Sequence, residues 1–388
     1  MSLVLYLFYG VLCIILFKLS TQLVLSCTYN LKERLRRSEV YPKISLVVPA
    51  YNEESTINDC VQSLLNIDYP NYEIIVVDDG STDKTLEDAR KFEGSGVKVV
   101  HQSNQGKANA LNQGIRLSSG EIVVTVDADT RLHPESIKNI AWRFANNQRL
   151  GAVAGNVKVA PDPGIINALQ SAEYTTGINL IRKAQSVLGC VMVVPGPIAA
   201  LRRDVVERVG FLSDDTFAED FDITMKILRY GYQVEYEDRA IAYTEAPKNI
   251  EDLMKQRRRW YRGMMQVLDK HKDMYLSRKH GVSGIFGVPS MWLETVSPII
   301  NIFLILLAVL SGLLTRELLI SLTGVALFFV AELAVEIFAI SLDPFPRARE
   351  LVIAPVLLFY NLFLDGVRMM ASTEEVIGVA MKWEKPRR

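Results

Sequence analysis

Five short groups of polar residues fall in one order along the chain: Pro49-Ala50-Tyr51-Asn52-Glu53, Asp78-Asp79-Gly80-Ser81, Asp127-Ala128-Asp129, Glu219-Asp220 and Gln256-Arg257-Arg258-Arg259-Trp260. Two carboxylates separated by one residue, as Asp127 and Asp129 are, offer hard oxygen donors that suit Mg²⁺ or Mn²⁺. One can meet the metal while the other meets a sugar or a metal-bound water. A cation held there would neutralise a diphosphate leaving group, which transfer from a nucleotide sugar requires. Asp78 and Asp79 can accept from a uracil N–H, although an Asp-Gly pair also starts turns. The Tyr51 ring can stack on a base and Glu53 can hold a ribose hydroxyl; equally, the acids of this loop can cap a helix. Lys107, after Gly106, can contact phosphate.

Attack by a sugar hydroxyl needs a general base, and Asp220 is the candidate. Acids ahead of Ile223–Leu228 also suit a helix N-terminus, where the macrodipole favours them. Trp260 can pack against the C–H face of a sugar. Glu219, Gln256 and Arg259 would complete that acceptor site or reach the diphosphate. The alternative is a basic segment with a tryptophan at headgroup level.

Strands and helices must hold these groups. Ile44–Val48, Glu73–Val77, Val97–Val100 and Ile122–Val126 are β-rich apolar runs, separated by helical patterns over Thr56–Leu65, Asp83–Phe92 and Asn109–Leu117. Such runs predict a mostly parallel sheet covered on both faces, an α/β domain over 29–245. Ligands of such sheets gather at the carboxyl ends of the strands, where the Asp78 and Asp127 groups stand. Ile165–Leu188 has helical spacing and is too polar to span a bilayer. It fits either a helix lying on the membrane surface or an amphipathic helix on the sheet. The basic stretch Lys255–Lys279, within an acceptor and interface region over 246–290, suits an anionic membrane surface.

Hydrophobic segments flank the domain. The first, over 1–28, is followed by Lys32, Arg34, Arg36, Arg37 and Lys43. Charge after the apolar run, not before it, predicts a retained transmembrane helix with a cytoplasmic basic flank. Met291–Leu314, Leu318–Leu342 and Leu351–Met370 lie in a membrane region over 291–371, with a tail over 372–388. Three full crossings there would put the tail outside. Leu351–Met370, which carries Asn361, Asp365 and Arg368, is therefore expected to be an interfacial or re-entrant helix. A multi-pass plasma-membrane protein with a cytoplasmic catalytic domain follows. Lys+Arg number 43 against 44 Asp+Glu, so no nucleic-acid partner is expected. Four scattered cysteines exclude a disulfide framework and a zinc site.

The motif order resembles the membrane-bound, processive family 2 glycosyltransferases: cellulose, chitin, hyaluronan and poly-N-acetylglucosamine synthases. The resemblance implies a GT-A fold, a Rossmann-like sheet, and inverting transfer from a UDP-sugar, UDP-GlcNAc or UDP-Glc, to a growing glycan threaded through the bilayer. By the same resemblance Asp78 and Asp79 lie by the nucleotide, Asp127 and Asp129 serve diphosphate and metal, and Asp220 is the base. Gln256, Arg259 and Trp260 line the acceptor site. Leu169–Tyr174 looks like the first interface helix, and Trp383 and Arg388 look like the gating-loop pair. Ala218 departs from the family's frequent Thr. The small membrane part is nearest the poly-N-acetylglucosamine type, and an accessory subunit is compatible with it. Two rival readings are a non-processive enzyme with a lipid acceptor and a non-catalytic scaffold subunit, the latter disfavoured by the intact carboxylates.

Overall fold

The structure is a computed structural model that describes residues 3–32, 41–315 and 318–380. Helix α1 (Leu3–Lys32) leads into β1 (Ile44–Ala50), α2 (Ile57–Leu65), β2 (Tyr72–Asp79), α3 (Thr85–Arg90), β3 (Val97–Gln102), α4 (Lys107–Leu117) and β4 (Ile122–Thr125). Every residue of β1 and β4 is buried. That explains their unbroken apolar runs, since helices cover both faces of a parallel sheet. Helix α2 buries Ile57, Cys60, Val61 and Leu64. Their spacing makes one apolar stripe, each large side chain contributing roughly 1.5–3 kcal/mol of burial.

The second half is less regular. It runs β5 (Thr130–Leu132), α5 (Ser136–Asn146), β6 (Leu150–Val159), α6 (Ile165–Glu173), a π-helical turn over Tyr174–Asn179, α7 (Leu180–Val187), β7 (Ala199–Arg202), α8 (Arg203–Val209), α9 (Glu219–Arg229), β8 (Gln233–Thr244) and α10 (Ile250–Lys270). The eight strands form one sheet in the order β3-β2-β1-β4-β7-β6-β8-β5. Pairing is parallel from β3 to β4 and between β6 and β8, and antiparallel for β4–β7, β6–β7 and β5–β8. The sheet is thus mixed where the apolar runs alone predict a mostly parallel one. Strand β7 enters between β4 and β6 with reversed direction, and β5 runs antiparallel to β8 at the edge.

Helices α11 (Val288–Thr315), α12 (Leu318–Ser341) and α13 (Ala348–Val376) follow; α11 and α13 overrun by a few residues the boundaries read from hydropathy, and α12 ends one residue short of its own. With α1 they make four helices long and apolar enough to cross a membrane. In α1, Phe8, Leu12 and Ile15 pack on Leu304, Leu307 and Ala308 of α11 and Phe328 of α12. Tyr6, Phe17, Leu306 and Val330 stay exposed, as lipid-facing side chains do.

Helix α13 is held differently, because both its ends grip the sheet domain. At its start Arg347 donates to the Val159 carbonyl at 2.9 Å, Arg349 to the Gly164 carbonyl at 2.8 Å, and Ser171 to Glu350 at 2.6 Å. At its end Arg258 pairs with Glu374 and Arg262 with Glu375, each at 2.6 Å. Between them Leu357, Tyr360 and Leu364 pack on Ala172 and Leu253. The segment from α6 to α7 lies between the sheet and the apolar helices. Its polar residues Gln170, Ser171, Arg182 and Lys183 are buried. Lys183 pairs with Asp238 at 2.9 Å and Lys158 with Asp343 at 2.7 Å, docking the end of α12 on the domain.

Candidate active site

One cavity of about 690 Å³ begins at the carboxyl ends of β1, β2 and β4 and continues between the apolar helices. Its walls include Tyr51, Glu53, Asp79, Lys107, Asp127, Asp129, Glu219, Asp220, Gln256, Arg259 and Trp260. These are all but one of the site residues expected from sequence among the described positions. The exception is Asp78, which is fully buried behind the wall and bonded to His101 Nδ1 at 2.7 Å. Trp383 and Arg388 lie outside the described residues.

The loops at the strand ends are tied by their own polar groups. Asn52 sits at φ 53° and accepts from the Thr82 N–H at 2.8 Å, joining the loop after β1 to the loop after β2. Glu53 accepts from the Thr56 hydroxyl at 2.8 Å, and its carbonyl receives the Ile57 N–H at 2.9 Å. Its backbone carbonyl, not its carboxylate, thus meets the first N–H of α2, and its side chain lines the cavity. Asp79 accepts from Gln102 Nε2 at 2.6 Å and from the backbone N–H groups of Gln105 and Gly106 at 2.9 Å. Gly106 has φ 89°, a left-handed turn that suits glycine. The Asp79 carboxylate thus fixes the turn that aims Lys107, the first residue of α4, into the cavity.

Lys107 Nζ lies 2.7 Å from Asp127 Oδ1 and 3.2 Å from Glu219 Oε1. Burial opposes its charge, but Asp127 and Glu219 outweigh that and hold the ammonium above its ordinary range. Burial pushes the Asp127 carboxyl up despite Lys107. Burial also works against the Glu219 carboxylate, but Lys107 and Arg259 keep it below its usual range. A Cβ at Gly196 would stand 2.8 Å from Lys107 Nζ and 3.0 Å from Asp127 Oδ2. A side chain at Gly196 would therefore displace this pair from its present position. Among the described residues no three His, Cys, Asp or Glu side chains converge as a metal cage. Two carboxylates, Asp127 and Asp129, nevertheless fit Mg²⁺ or Mn²⁺, which take few protein oxygens when a diphosphate supplies the rest. Asp127 already accepts a cation, the Lys107 ammonium.

Asp220 opens α9. Its Oδ1 receives the Phe221 N–H at 2.8 Å and its Oδ2 the Gly196 N–H at 3.4 Å. Burial, with Glu219 adjacent, pushes its carboxyl up to about 6. A base whose pKa lies near the working pH is both available and strong enough to take a proton. If Asp220 takes it, the turnover number measured between about pH 5 and 8 should bend near the pKa and fall about tenfold per unit below it. The carboxyl is protonated on the acid side and cannot accept a proton. A flat profile through that range would remove Asp220 from the role.

Trp260 is held from beneath. The Arg257 guanidinium lies 4.4 Å from its ring centroid, and Tyr174 is its aromatic neighbour at 6.3 Å. Arg257 is fully buried and makes a fork to Glu173, at 3.1 and 2.7 Å, while the Tyr360 hydroxyl donates to the same carboxylate at 2.8 Å. Gln256 bonds Arg257 through its side-chain oxygen. Sequence reasoning passed over Arg257, Glu173 and Gly196; only the cluster of arginines hinted at the first.

Fold and site together define a membrane-associated protein with a GT-A-type domain. Residues 45–210 match the family model described as glycosyl transferase family 2. A poly-beta-1,6-N-acetyl-D-glucosamine synthase of Staphylococcus epidermidis is 35% identical over 227 residues, 58% of this chain and 55% of the relative. One of Staphylococcus aureus (strain COL) is 32% identical over 266 residues, 68% of this chain and 63% of the relative. The chain therefore matches somewhat more than half the length of these relatives. A mannosyltransferase from Pyrobaculum calidifontis, solved with GDP-Man and Mn²⁺, shares the fold with a TM-score of 0.67, at 20% identity and with 97% and 98% of the two chains covered.

Proposed function

We propose that this protein is an inverting, metal-dependent synthase that adds sugars from a UDP-sugar to a growing β-linked glycan. The observation that carries this is the single cavity in which Lys107, the Asp127/Asp129 pair, Asp220 and Trp260 meet before it runs on between the apolar helices. The names of the curated relatives favour UDP-GlcNAc as donor.

The residues divide the work. Tyr51 and Asp79 flank the nucleotide, and Lys107 turns from Asp127 to the diphosphate. Asp127 and Asp129 would hold Mg²⁺ or Mn²⁺, which offsets charge on the leaving group when bound. Trp260 and Gln256 hold the terminal sugar of the acceptor. Its hydroxyl gives a proton to Asp220 while the oxygen attacks the anomeric carbon from the face opposite the diphosphate. The new C–O bond forms as the bond to phosphate breaks, and the electron pair leaves with the nucleoside diphosphate. Purified protein in lipid nanodiscs, supplied with UDP-GlcNAc and Mg²⁺, is expected to make chains of many residues by mass analysis. A product that stops at one sugar on a lipid would favour the non-processive reading.

We also propose that α1, α11 and α12 cross the plasma membrane, with α13 along its cytoplasmic face. Gripped at both ends by one domain, α13 has no end free to reach the far side. A single cysteine placed at Ser372 should resist an impermeant reagent added outside intact cells and react after lysis. Labelling from outside would reverse this topology.

A further inference from the structure

The Glu219-Asp220 pair stands at the start of α9, and that start has no side-chain cap. The segment just before it, Phe217 and Ala218, lines the cavity together with the pair. Helix α10 lies directly against this segment. A Cβ at Gly263 would stand 2.9 Å from the Ala218 Cβ and 3.0 Å from the Phe217 carbonyl carbon, so helix and segment meet nearly backbone to backbone. Further along α10, Gln266 Oε1 receives the Phe217 N–H at 3.1 Å, and Lys270 pairs with Asp215 of the same loop at 2.8 Å.

The other side of the Gln266 amide faces α13. Its Nε2 donates to Glu375 Oε1 at 3.0 Å. The second oxygen of that carboxylate receives Arg262 Nε at 2.6 Å, and Arg262 Nη2 donates to the Val379 carbonyl at 2.6 Å. Only one orientation of the amide serves both neighbours. Turned over, it would set Nε2 against the Phe217 N–H and Oε1 against a carboxylate, losing both bonds. The helix reached in this way also walls the part of the cavity between the apolar helices, through Asn361, Asp365 and Arg368.

We infer that Gln266 and Glu375 are positioning residues, a two-bond link through which the end of α13 sets where Asp220 stands against the acceptor hydroxyl. The inference rests on the proposed role of Asp220 as base. Neither Gln266 nor Glu375 lines the cavity, so the link acts through the backbone of Phe217. A base must lie within hydrogen-bond reach of its proton. A displacement of about 1 Å, made far from the chemistry, can cost about a hundredfold in rate. Loss of the link therefore lowers turnover and leaves the side chains that bind donor and acceptor chemically intact.

Initial rates with UDP-GlcNAc and an N-acetylglucosamine oligosaccharide, in nanodiscs, test this with three variants. Gln266→Leu keeps the size of the side chain and loses both bonds. Its kcat should fall about tenfold or more, with KM for donor and acceptor held within about twofold. Gln266→Glu keeps the bond from Phe217 but sets two carboxylates against each other, and its kcat should fall likewise. Gln266→Glu/Glu375→Gln reverses the link. The carboxylate at 266 then accepts from the Phe217 N–H and from the amide at 375, whose oxygen accepts from Arg262. Its kcat should return to within about threefold of the wild-type value. Should Gln266→Leu fail to fold, the other two variants decide by the same readings. An unchanged kcat in Gln266→Leu, a reversed link no faster than Gln266→Glu, or a rise in both KM values that marks a loosened domain overturns the inference while leaving glycan extension intact. Full activity in Asp220→Asn would remove the base itself and overturn both.

Discussion

Asp220→Asn is expected to cut sugar transfer roughly a thousandfold, within the range for loss of a general base, while donor binding survives. The amide has the shape of the carboxyl, and its oxygen can still receive the Phe221 N–H that now reaches Asp220 at 2.8 Å. Helix α9 should therefore keep its start. The lost property is basicity: an amide cannot take the proton of an attacking hydroxyl. In the proposed arrangement the donor contacts come from the ends of β1, β2 and β4 and from Lys107, none of them on α9. Calorimetry with the UDP-sugar should give a Kd close to that of the wild-type protein, and radiolabel transfer should give the loss. The residual rate should also lose the bend near pH 6, because the group responsible is gone. Transfer at the wild-type rate would sink the assignment, and loss of donor binding along with rate would move Asp220 into the donor site.

The first half of the domain was legible because its signals are local. Unbroken Val and Ile runs define β1, β2 and β4, and the acids that end them stand where ligands gather in such sheets. The sheet order was not legible. Strand β6 pairs with β8 about eighty residues later, and β7 inserts antiparallel, neither of which leaves a periodic trace. The same distance problem hid what Asp79 does. It looks like a free carboxylate for a base, yet its oxygens hold backbone N–H groups of the turn before Lys107. Asp78 and Asp79 look equivalent in sequence, but alternation along β2 sends one toward His101 and the other to the cavity. Asn361, Asp365 and Arg368 interrupt an apolar run, and the ends of α13 are bound to the domain.

Arg257→Ala should be the most damaging change outside the reacting groups. In sequence Arg257 is one arginine in a row of three, and such runs usually face solvent. Here it is 0% exposed, with its charge met by a carboxylate 84 positions away. Removing the guanidinium leaves Glu173 with the Tyr360 hydroxyl as its remaining bonded donor. Breaking a buried pair from one side costs about 3–5 kcal/mol. Trp260 loses the cation beneath its ring, worth up to about 2 kcal/mol when desolvated. Thermal melting of the purified protein should show the loss, and KM for an oligosaccharide acceptor should rise as the Trp260 ring loosens. Arg257→Lys should recover little, since an ammonium cannot make the two-bond fork or stack on the indole. The double variant Arg257→Ala/Glu173→Ala should be less destabilised than the sum of the two single changes, because the stranded carboxylate is then gone. Additive losses would mean that the pair does not act as a unit. A wild-type melting point for Arg257→Ala would mean that Trp260 is held by its aromatic neighbours alone.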